Sequence, residues 1–323
     1  MKILVTGGAG FIGSNFVNEL LAKSETWQEI IILDALTYAG NLANLKPALA
    51  DTRVRFIQGD IRDVALVNSL MSSIHTVVHF AAESHVDRSI LNPNEFISTN
   101  VLGTNTLLNA ALINKVSKFI HVSTDEVYGS IEVGSWTECS PIAPNSPYSA
   151  SKASSDLVAL SYFKTFGLPV IVTRCSNNYG KYQFPEKLIP LAISNLIDNI
   201  PIPIYGDGLN SRDWLDVRDH CRAINLVIKN GIVGQVYNIG GGRELSNIEM
   251  VKLLLNEFDL DDTYISFVDD RKGHDRRYSV NYEKIKEECG FKTEHNFEES
   301  LKETVDWYRS NEAWWRPLKS QSL

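Results

Sequence analysis

The order of apolar and polar positions divides this chain into alternating strand-like and helix-like segments up to about residue 175. Short runs rich in apolar residues, the pattern of buried strands, occupy residues 2–6, 29–33, 54–58, 76–80, 118–122 and 169–173. Segments with helical spacing lie between or after them, at 14–21, 62–71, 94–114 and from 148 to about 166. This alternation predicts an α/β fold, a doubly wound parallel sheet of the Rossmann-like kind.

The pattern changes after Cys175. Residues 176–185 are polar, aromatic and rich in turn formers, and the remainder predicts helices at 186–198 and 219–229, an edge strand at 201–205 and two or three helices after 241. Residues 235–239 have the composition of another strand of the main sheet. We therefore predict a dinucleotide-binding domain at 1–175, to which 214–240 returns. Residues 176–213 and 241–323 are predicted to form a smaller C-terminal substrate-binding lobe.

Glycines connect the first strand to the first helix. Gly7, Gly10 and Gly13 stand in that turn, and the next strand ends in Asp34, about 20 residues further on. Glycines let a pyrophosphate approach the helix N-terminus, and a carboxylate at Asp34 can bind the adenosine ribose and would repel a 2′-phosphate. The spacing therefore favours NAD over NADP, with a glycine turn and a chance acidic residue as the plainer alternative.

The cofactor is expected to lie along the strand ends, with Asp60 and Ile61 near the adenine and small alanines allowing close approach. The residues predicted to contact it are Gly7, Gly10, Phe11, Ile12, Gly13, Asp34, Ala35, Leu36, Thr37, Asp60, Ile61, Phe80, Ala81, Ala82, Thr99, Tyr148, Lys152 and Asn178.

Composition and charge narrow the class of protein further. Of the 323 residues, 44% are hydrophobic and 22% charged, and the net charge of −8 argues against general binding to nucleic acid or to membrane surfaces. The chain begins with a strand rather than a secretory segment and has no 18-residue apolar stretch, so we expect a cytoplasmic protein without a membrane span. Four widely spaced cysteines predict free thiols and no metal site.

Two groups of residues carry candidate chemistry. Asp125 and Glu126 directly follow the strand at 118–122, and such strand ends bind ligands in open α/β sheets. Tyr148 and Lys152 are four residues apart on a predicted helix, so the ammonium, together with a nicotinamide cation, could favour the phenolate. The plainer alternatives are a helix cap or turn at 123–125 and a chance Tyr–Lys pair.

Together with the glycine turn, these motifs resemble the extended short-chain dehydrogenase/reductases that act on nucleotide sugars, and more closely the dTDP-glucose 4,6-dehydratases. The resemblance covers nearly the whole chain and is carried by residues 81–89, 124–129, 148–154, 175–180, 184–190 and 271–275. Two departures lie near the expected nucleotide site. Lys272 replaces the family's usual proline, and Asp216 replaces a usual aromatic residue.

The resemblance implies an internal redox cycle that converts a hexose to its 4-keto-6-deoxy form for deoxysugar biosynthesis. Tyr148 would deprotonate the C4 hydroxyl while hydride passes to NAD, and Thr124 would hold the C4 oxygen. Glu126 would then remove the C5 proton while Asp125 protonates the leaving C6 hydroxyl, and hydride would return to C6. Elimination needs one base and one acid at neighbouring atoms, which two adjacent carboxylates can supply if their environments separate their pKa values.

The resemblance also implies a nucleotide-sugar site and a homodimer. The expected substrate contacts are Ser84, Thr124, Asn177, Lys187, Leu188, Pro203, Tyr205, Arg212, Asn247, Arg271 and His274. Helices 94–114 and 148–166 are expected to form the dimer interface, because Leu102, Leu112, Val158 and Tyr162 add apolar faces to them.

Three alternatives stay open at this point. They are a nucleotide-sugar 4-epimerase, a 4,6-dehydratase acting on a CDP-, UDP- or GDP-sugar, and a non-catalytic NAD-binding regulator. The basic run at 271–277 could also be an ordinary solvated surface.

Overall fold

A computed structural model describes residues 1–23 and 27–320 of the chain. The strands are β1 (Lys2–Thr6), β2 (Glu29–Asp34), β3 (Val54–Gln58), β4 (Thr76–His79), β5 (Lys118–Thr124), β6 (Val170–Cys175), β7 (Asn177–Tyr179), β8 (Ile202–Tyr205), β9 (Ser211–Asp216), β10 (Val236–Ile239), β11 (Glu244–Ser246) and β12 (Ile265–Val268). The α-helices are α1 (Phe11–Lys23), α2 (Val64–Met71), α3 (Val86–Leu91), α4 (Pro93–Phe96), α5 (Thr104–Ile113), α6 (Pro147–Phe166), α7 (Leu188–Ile197), α8 (Val217–Asn230), α9 (Asn247–Asn256), α10 (Glu283–Cys289), α11 (Phe297–Ser310) and α12 (Glu312–Lys319).

The main sheet has seven strands in the order β10-β6-β5-β4-β1-β2-β3, and all of its neighbouring pairs are parallel. Successive side chains of a strand point to opposite faces, so both faces of this sheet are buried. In β1, Ile3 and Val5 belong to one hydrophobic cluster and Leu4 to another. The first cluster packs under α1, α8 and α10, and the second under α2, α5 and α6. The predicted doubly wound fold is confirmed.

Residues 236–239 pair with β6 at the edge of the main sheet, so the chain does return to it after residue 213. A separate cluster, which includes Trp214, Met250, Tyr308 and Trp315, forms the core of the remaining C-terminal part. The boundaries between domain and lobe stay a prediction.

The segment after Cys175 differs from its sequence prediction. Residues 177–179 form β7 rather than an irregular turn, and β7 pairs in parallel with β9 in a three-stranded sheet completed by β11. The short polar run gave no strand signal because its hydrogen-bonding partners lie more than 30 residues further along the chain.

The helix predicted at 94–114 is instead α4, a π-helix at Ile97–Gly103 and then α5. A side chain at Gly103 would place its Cβ 2.5 Å from Ile61, so the wide π turn lies tightly against the segment that follows β3. Asn100, in the middle of the turn, accepts a hydrogen bond from Glu83 N at 2.8 Å and donates one to the Glu83 carbonyl at 2.9 Å. The π turn thus secures the end of β4, in keeping with the frequent placement of π turns at functional sites.

Of the helices in residues 1–23 and 27–320, none has the length and hydropathy needed to cross a bilayer. The four cysteines are free thiols, with Cys139 exposed and the other three buried.

Candidate active site

One cavity runs along the carboxyl ends of the main-sheet strands. It is bordered by the glycine turn after β1, by Asp34 at the end of β2, by Ser123–Glu126 after β5 and by Tyr148 and Lys152 of α6. Parallel strands place their carboxyl ends at one edge of the sheet, so residues more than 100 positions apart meet here. All of the predicted cofactor residues except Leu36 border the cavity. Leu36 does not, and its backbone N–H binds Asp34 Oδ1 at 2.8 Å.

The glycine turn is shaped to leave room above it. Gly7 has φ +69°, and a Cβ there would lie 2.6 Å from the backbone nitrogen of Ala81, while a Cβ at Gly13 would lie 2.3 Å from the carbonyl oxygen of Gly7. A Cβ at Gly10 would meet only that same oxygen, at 3.3 Å, and would otherwise project into open space. The turn therefore packs against β4 and α1 while presenting bare backbone to the cavity, as close approach of a pyrophosphate requires.

Asp34 is held rigidly at the end of β2. Its Oδ2 accepts a hydrogen bond from Ala9 N at 2.9 Å and its Oδ1 accepts the one from Leu36 N, although burial raises the pKa of this carboxyl. Each carboxylate oxygen has a further lone pair, so Asp34 can still accept a ribose hydroxyl.

Several buried polar atoms on the cavity wall have no hydrogen-bond partner among the described residues. They are Asp125 Oδ2, Asn177 Oδ1 and Gln183 Oε1. Buried polar atoms are normally paired. These three atoms together indicate a polar ligand, and with Gly10 and Asp34 they fit a dinucleotide and its partner substrate.

Asp125 and Glu126 lie in a 3-10 turn, Asp125–Tyr128, that caps the end of β5. Thr124 forms the cap, with its Oγ1 accepting from Glu126 N at 3.2 Å. Asp125 is only 2% exposed, and burial followed by the charge of Glu126 raises its pKa well above the ordinary value. Burial also raises the pKa of Glu126, but the nearby Arg271, Lys187 and Arg212 oppose that rise. The environment therefore favours a protonated Asp125 beside a Glu126 whose anion is supported by three cations.

Tyr148 and Lys152 are positioned by the start of α6. Ser146 and Ser149 form a reciprocal capping box around Pro147, which sets the helix start one residue before Tyr148. Lys152 is buried, and its Nζ donates a 2.7 Å hydrogen bond to the carbonyl of Val122 in β5. The α6 helix is thereby tied to the strand that carries the two carboxylates.

The protein surroundings of Tyr148 by themselves favour its neutral form. Burial, Glu126, Cys175 and Asp125 raise the pKa of Tyr148 well above its ordinary value, opposed by the Thr124 hydroxyl. The pKa of Lys152 is itself lowered by burial. Tyr148 is therefore a neutral phenol in this environment, and its deprotonation requires a further positive charge in the cavity.

A buried polar layer behind Lys152 escaped sequence reasoning. Asp156, one helical turn beyond Lys152, pairs with Arg174 Nε of β6 at 2.8 Å and lies 3.2 Å from His121 Nε2 of β5. Because the partners come from separate strands, only a search for buried charge at i+4 from Lys152 could have indicated this layer.

The predicted substrate residues fall into two groups. Ser84, Thr124, Asn177 and Lys187 border the cavity. The others do not border it and lie in the second part of the chain, namely Leu188, Pro203, Tyr205, Arg212, Asn247, Arg271 and His274. The structure places the rings of Tyr205 and His274 6.0 Å apart, and Arg271 Nη1 is 3.8 Å from Asp87. The substrate contacts stay a prediction.

Tyr278 is a second feature that the sequence reasoning missed. Its ring lies 4.4 Å below the guanidinium of Arg212, and its hydroxyl donates to Asp275 Oδ2 at 2.5 Å. Asp275 also accepts from Asn145, which precedes α6, at 2.6 Å. Its position in the sequence could have indicated Tyr278, because the residue follows the basic motif at 271–275 by three positions.

The two departures from the family pattern have different settings. Asp216 caps α8, accepting from Arg218 N at 2.7 Å and pairing with the Arg218 guanidinium, so its role here is structural. Lys272 is exposed, and nothing in the structure explains its presence.

A family profile described as GDP-mannose 4,6 dehydratase matches residues 4–304. The chain belongs to that family. Among its relatives, the chain is 56% identical to a dTDP-glucose 4,6-dehydratase of Streptomyces antibioticus, over 99% of this chain and 96% of the relative. It is 54% identical to the enzyme of the same name from an Actinoplanes strain, over 98% of this chain and 100% of the relative.

Solved structures of the family agree. A dTDP-glucose 4,6-dehydratase from Streptomyces venezuelae, solved with NAD bound, is 55% identical, with a TM-score of 0.97 over 98% of this chain and 100% of that one. A UDP-glucose 4-epimerase from Thermotoga maritima is 32% identical, with a TM-score of 0.89 over 96% and 99% of the two chains. The resemblance predicted from the sequence is confirmed.

Proposed function

We propose that this protein is an NAD-dependent hydro-lyase that converts dTDP-glucose to dTDP-4-keto-6-deoxyglucose. The observation that carries the proposal is the carboxylate pair of buried Asp125 and half-buried Glu126, which borders the same cavity as Tyr148 and Lys152. The choice of dTDP-glucose rests on the names of relatives that are 54–56% identical over nearly the whole chain.

The residues around the glycine turn would hold the cofactor. Gly10 would present its backbone to the pyrophosphate, and Asp34 would accept a hydrogen bond from the adenosine ribose. Lys152 and Tyr148 would lie at the nicotinamide end. Bound NAD would supply a hydride acceptor at C4 and a hydride donor at C6, together with the positive charge that the Tyr148 site requires. Tyr148, once it has lost its own proton to solvent beside that charge, would take the C4 hydroxyl proton as a phenolate. Lys152, fixed on Val122, would add further positive charge.

The two carboxylates divide the elimination between them. Asp125, whose raised pKa favours its protonated form, gives a proton to the departing C6 hydroxyl, and its unpaired Oδ2 is the free position from which to do so. Glu126, whose anion is supported by Arg271, Lys187 and Arg212, takes the C5 proton that the C4 ketone has made acidic. When hydride adds at C6, Glu126 returns a proton to C5. Thr124 holds the C4 oxygen near Tyr148.

The proposal is tested by offering the purified protein dTDP-, UDP-, CDP- and GDP-linked glucose and identifying products by mass. We expect loss of one water, fastest with the dTDP sugar, and no net NADH. A substrate deuterated at C4 should yield product deuterated at C6. Absence of any dehydrated product would refute the function, whereas transfer of the label to solvent would refute only the internal cycle.

The 4-epimerase alternative makes a different prediction in the same assay. An epimerase inverts C4 without losing water, so it has no use for a proton donor and a base at neighbouring carbons. A product with the mass of the substrate and inverted C4 would favour it.

We further propose a homodimer through residues 94–114, which include the π turn and α5, and residues 148–166 of α6. Leu102 is 59% exposed, and Leu157 and Phe166 are 58% and 57% exposed, on helices whose other faces are buried. Leu112, Val158 and Tyr162, also expected at the interface, are partly buried against the core and keep only part of their surface exposed. A second copy of the chain would cover the exposed set.

A further inference from the structure

Part of the cavity wall is an assembly of three chain segments that are distant in the sequence. They are residues 37–40 after β2, residues 83–88 around the start of α3, and residues 184–187 before α7, and each contributes to the lining. The first segment follows Asp34, and the third belongs to the second part of the chain. A contact among all three therefore joins the two sides of the cavity.

Arg88 lies at the centre of this assembly. Its guanidinium carbon is 3.7 Å from the centroid of the Tyr38 ring, and its Nε is 3.5 Å from Glu186 Oε2. The ring of Phe184 packs against the Tyr38 ring in a T-shaped arrangement, with ring centroids 5.5 Å apart. Lys187 adds a direct hydrogen bond from Nζ to the carbonyl of Ser84, at 3.2 Å.

Charge makes Arg88 the main partner of Glu186 within the 83–88 segment. His85 Nε2 is also near Glu186 Oε2, at 3.8 Å, but burial lowers the pKa of His85 to about 3, so that imidazole is neutral. The Glu186 side chain is only 9% exposed, and its pKa is raised by burial and lowered by Lys187 and Arg88. Removing Arg88 would leave a buried carboxylate short of one cation and an aromatic ring without its stacked partner.

We propose that Tyr38, Arg88 and Glu186 form a clasp that retains the dinucleotide in the cavity throughout a catalytic cycle. The need for retention rests on the proposed function, because the reaction of a sugar oxidised at C4 is complete only when the same hydride returns to its C6. The clasp does not touch the reacting carbons in this proposal. It acts by holding the segment after Asp34 against the segment before α7.

The test measures release of NAD without any sugar present. Purified protein is loaded with radiolabelled NAD, freed of excess label by gel filtration and chased with unlabelled NAD. For Arg88→Gln and for Tyr38→Leu we expect release to be faster by about tenfold, the order that a partly desolvated cation–π contact allows. The double variant should release little faster than the faster single variant, because both substitutions break the same contact.

Two further variants serve as controls. Tyr38→Phe keeps the ring under Arg88 and removes only the hydroxyl, so its release should be clearly slower than that of Tyr38→Leu. Arg309→Gln removes a similar stack outside the cavity, where the guanidinium lies 4.2 Å from the Phe258 ring, and should not change release. Thermal unfolding of each variant identifies any general loss of structure.

Wild-type release rates in both Arg88→Gln and Tyr38→Leu would overturn the clasp, as would equal acceleration by Arg309→Gln or Tyr38→Phe. These results do not depend on the dehydratase assay, so failure of the clasp is distinguishable from failure of the proposed function. If wild type dehydrates its substrate, Arg88→Gln should also release free NADH and a 4-keto sugar that keeps its C6 hydroxyl. Turnover without those products would count against the clasp.

Discussion

At the scale of single residues, the protonation of Asp125 is central to the proposed chemistry. A carboxyl whose pKa is higher in the folded than in the unfolded chain stabilises the fold below its ordinary pKa of 3.8. That stabilisation is lost as the pH rises through the raised, folded-state value. Asn cannot ionise, so Asp125→Asn should avoid the loss.

We therefore predict that Asp125→Asn is more stable than wild type at neutral and alkaline pH, by about 1–2 kcal/mol, while dehydration slows by about 10²–10⁴-fold. The stability difference should shrink as the pH falls towards the ordinary carboxyl range. Urea unfolding from pH 5 to 8 measures it, and a difference that grew towards acid pH would contradict the raised pKa of Asp125.

In the proposed cycle Glu126 and Tyr148 act at different steps, so the effects of their substitutions should be separable. Oxidation at C4 needs Tyr148 but no base at C5, so Glu126→Gln should still form enzyme-bound NADH while water loss slows by about 10²–10⁴-fold. Tyr148→Phe should suppress NADH formation itself, because no group remains to take the hydroxyl proton. Single-turnover absorbance of bound NADH and exchange of the C5 proton with solvent distinguish the two variants. Near-normal dehydration or C5 exchange in Glu126→Gln would assign the base to another group.

At the scale of elements, the turn between β1 and α1 contains Gly13, which packs tightly against the backbone, and Gly10, which we expect to contact the cofactor. Gly13→Ala should destabilise the fold, because its Cβ would lie 2.3 Å from a backbone oxygen that cannot move away. Gly10→Ala should leave the unfolding temperature nearly unchanged but weaken NAD binding by at least about tenfold, because its methyl group would enter the cavity. Thermal unfolding without cofactor and calorimetric titration with NAD measure the two effects. Equal unfolding losses in both variants would show that the two glycines have the same role.

At the scale of the whole molecule, the exposed apolar residues of the π turn and α6 predict a dimer in solution. Light scattering at micromolar concentration should give twice the chain mass, and the double substitution Leu102→Glu with Leu157→Glu should give monomers, because burying two carboxylates in an apolar interface is unfavourable. Leu209→Glu, at a 51% exposed position in the second part of the chain, is the matched control and should stay dimeric. A wild-type monomer would remove the proposed interface.

Local sequence determined most of the main sheet and the identity of the reacting groups. Apolar runs bounded by glycine or polar residues predict strands because a parallel strand is buried on both faces, and each predicted run from β1 to β6 is a strand. The motifs around Asp34, Asp125 and Tyr148 were recognisable for the same reason, since each stands directly at a strand end or helix start.

Only the tertiary structure decided the features that depend on partners distant in the sequence. Strand β7 forms because it hydrogen-bonds to β9, which is itself paired with β11. The π turn at 97–103 lies against Ile61, and its Asn100 hydrogen-bonds to Glu83. The raised pKa values of Asp125 and Tyr148 come from burial and from the neighbouring charge of Glu126, neither of which is specified by residue type alone. The contact of Arg88 with Tyr38 and Glu186 likewise joins residues up to 148 positions apart, and it exists only because the chain brings three segments to one cavity.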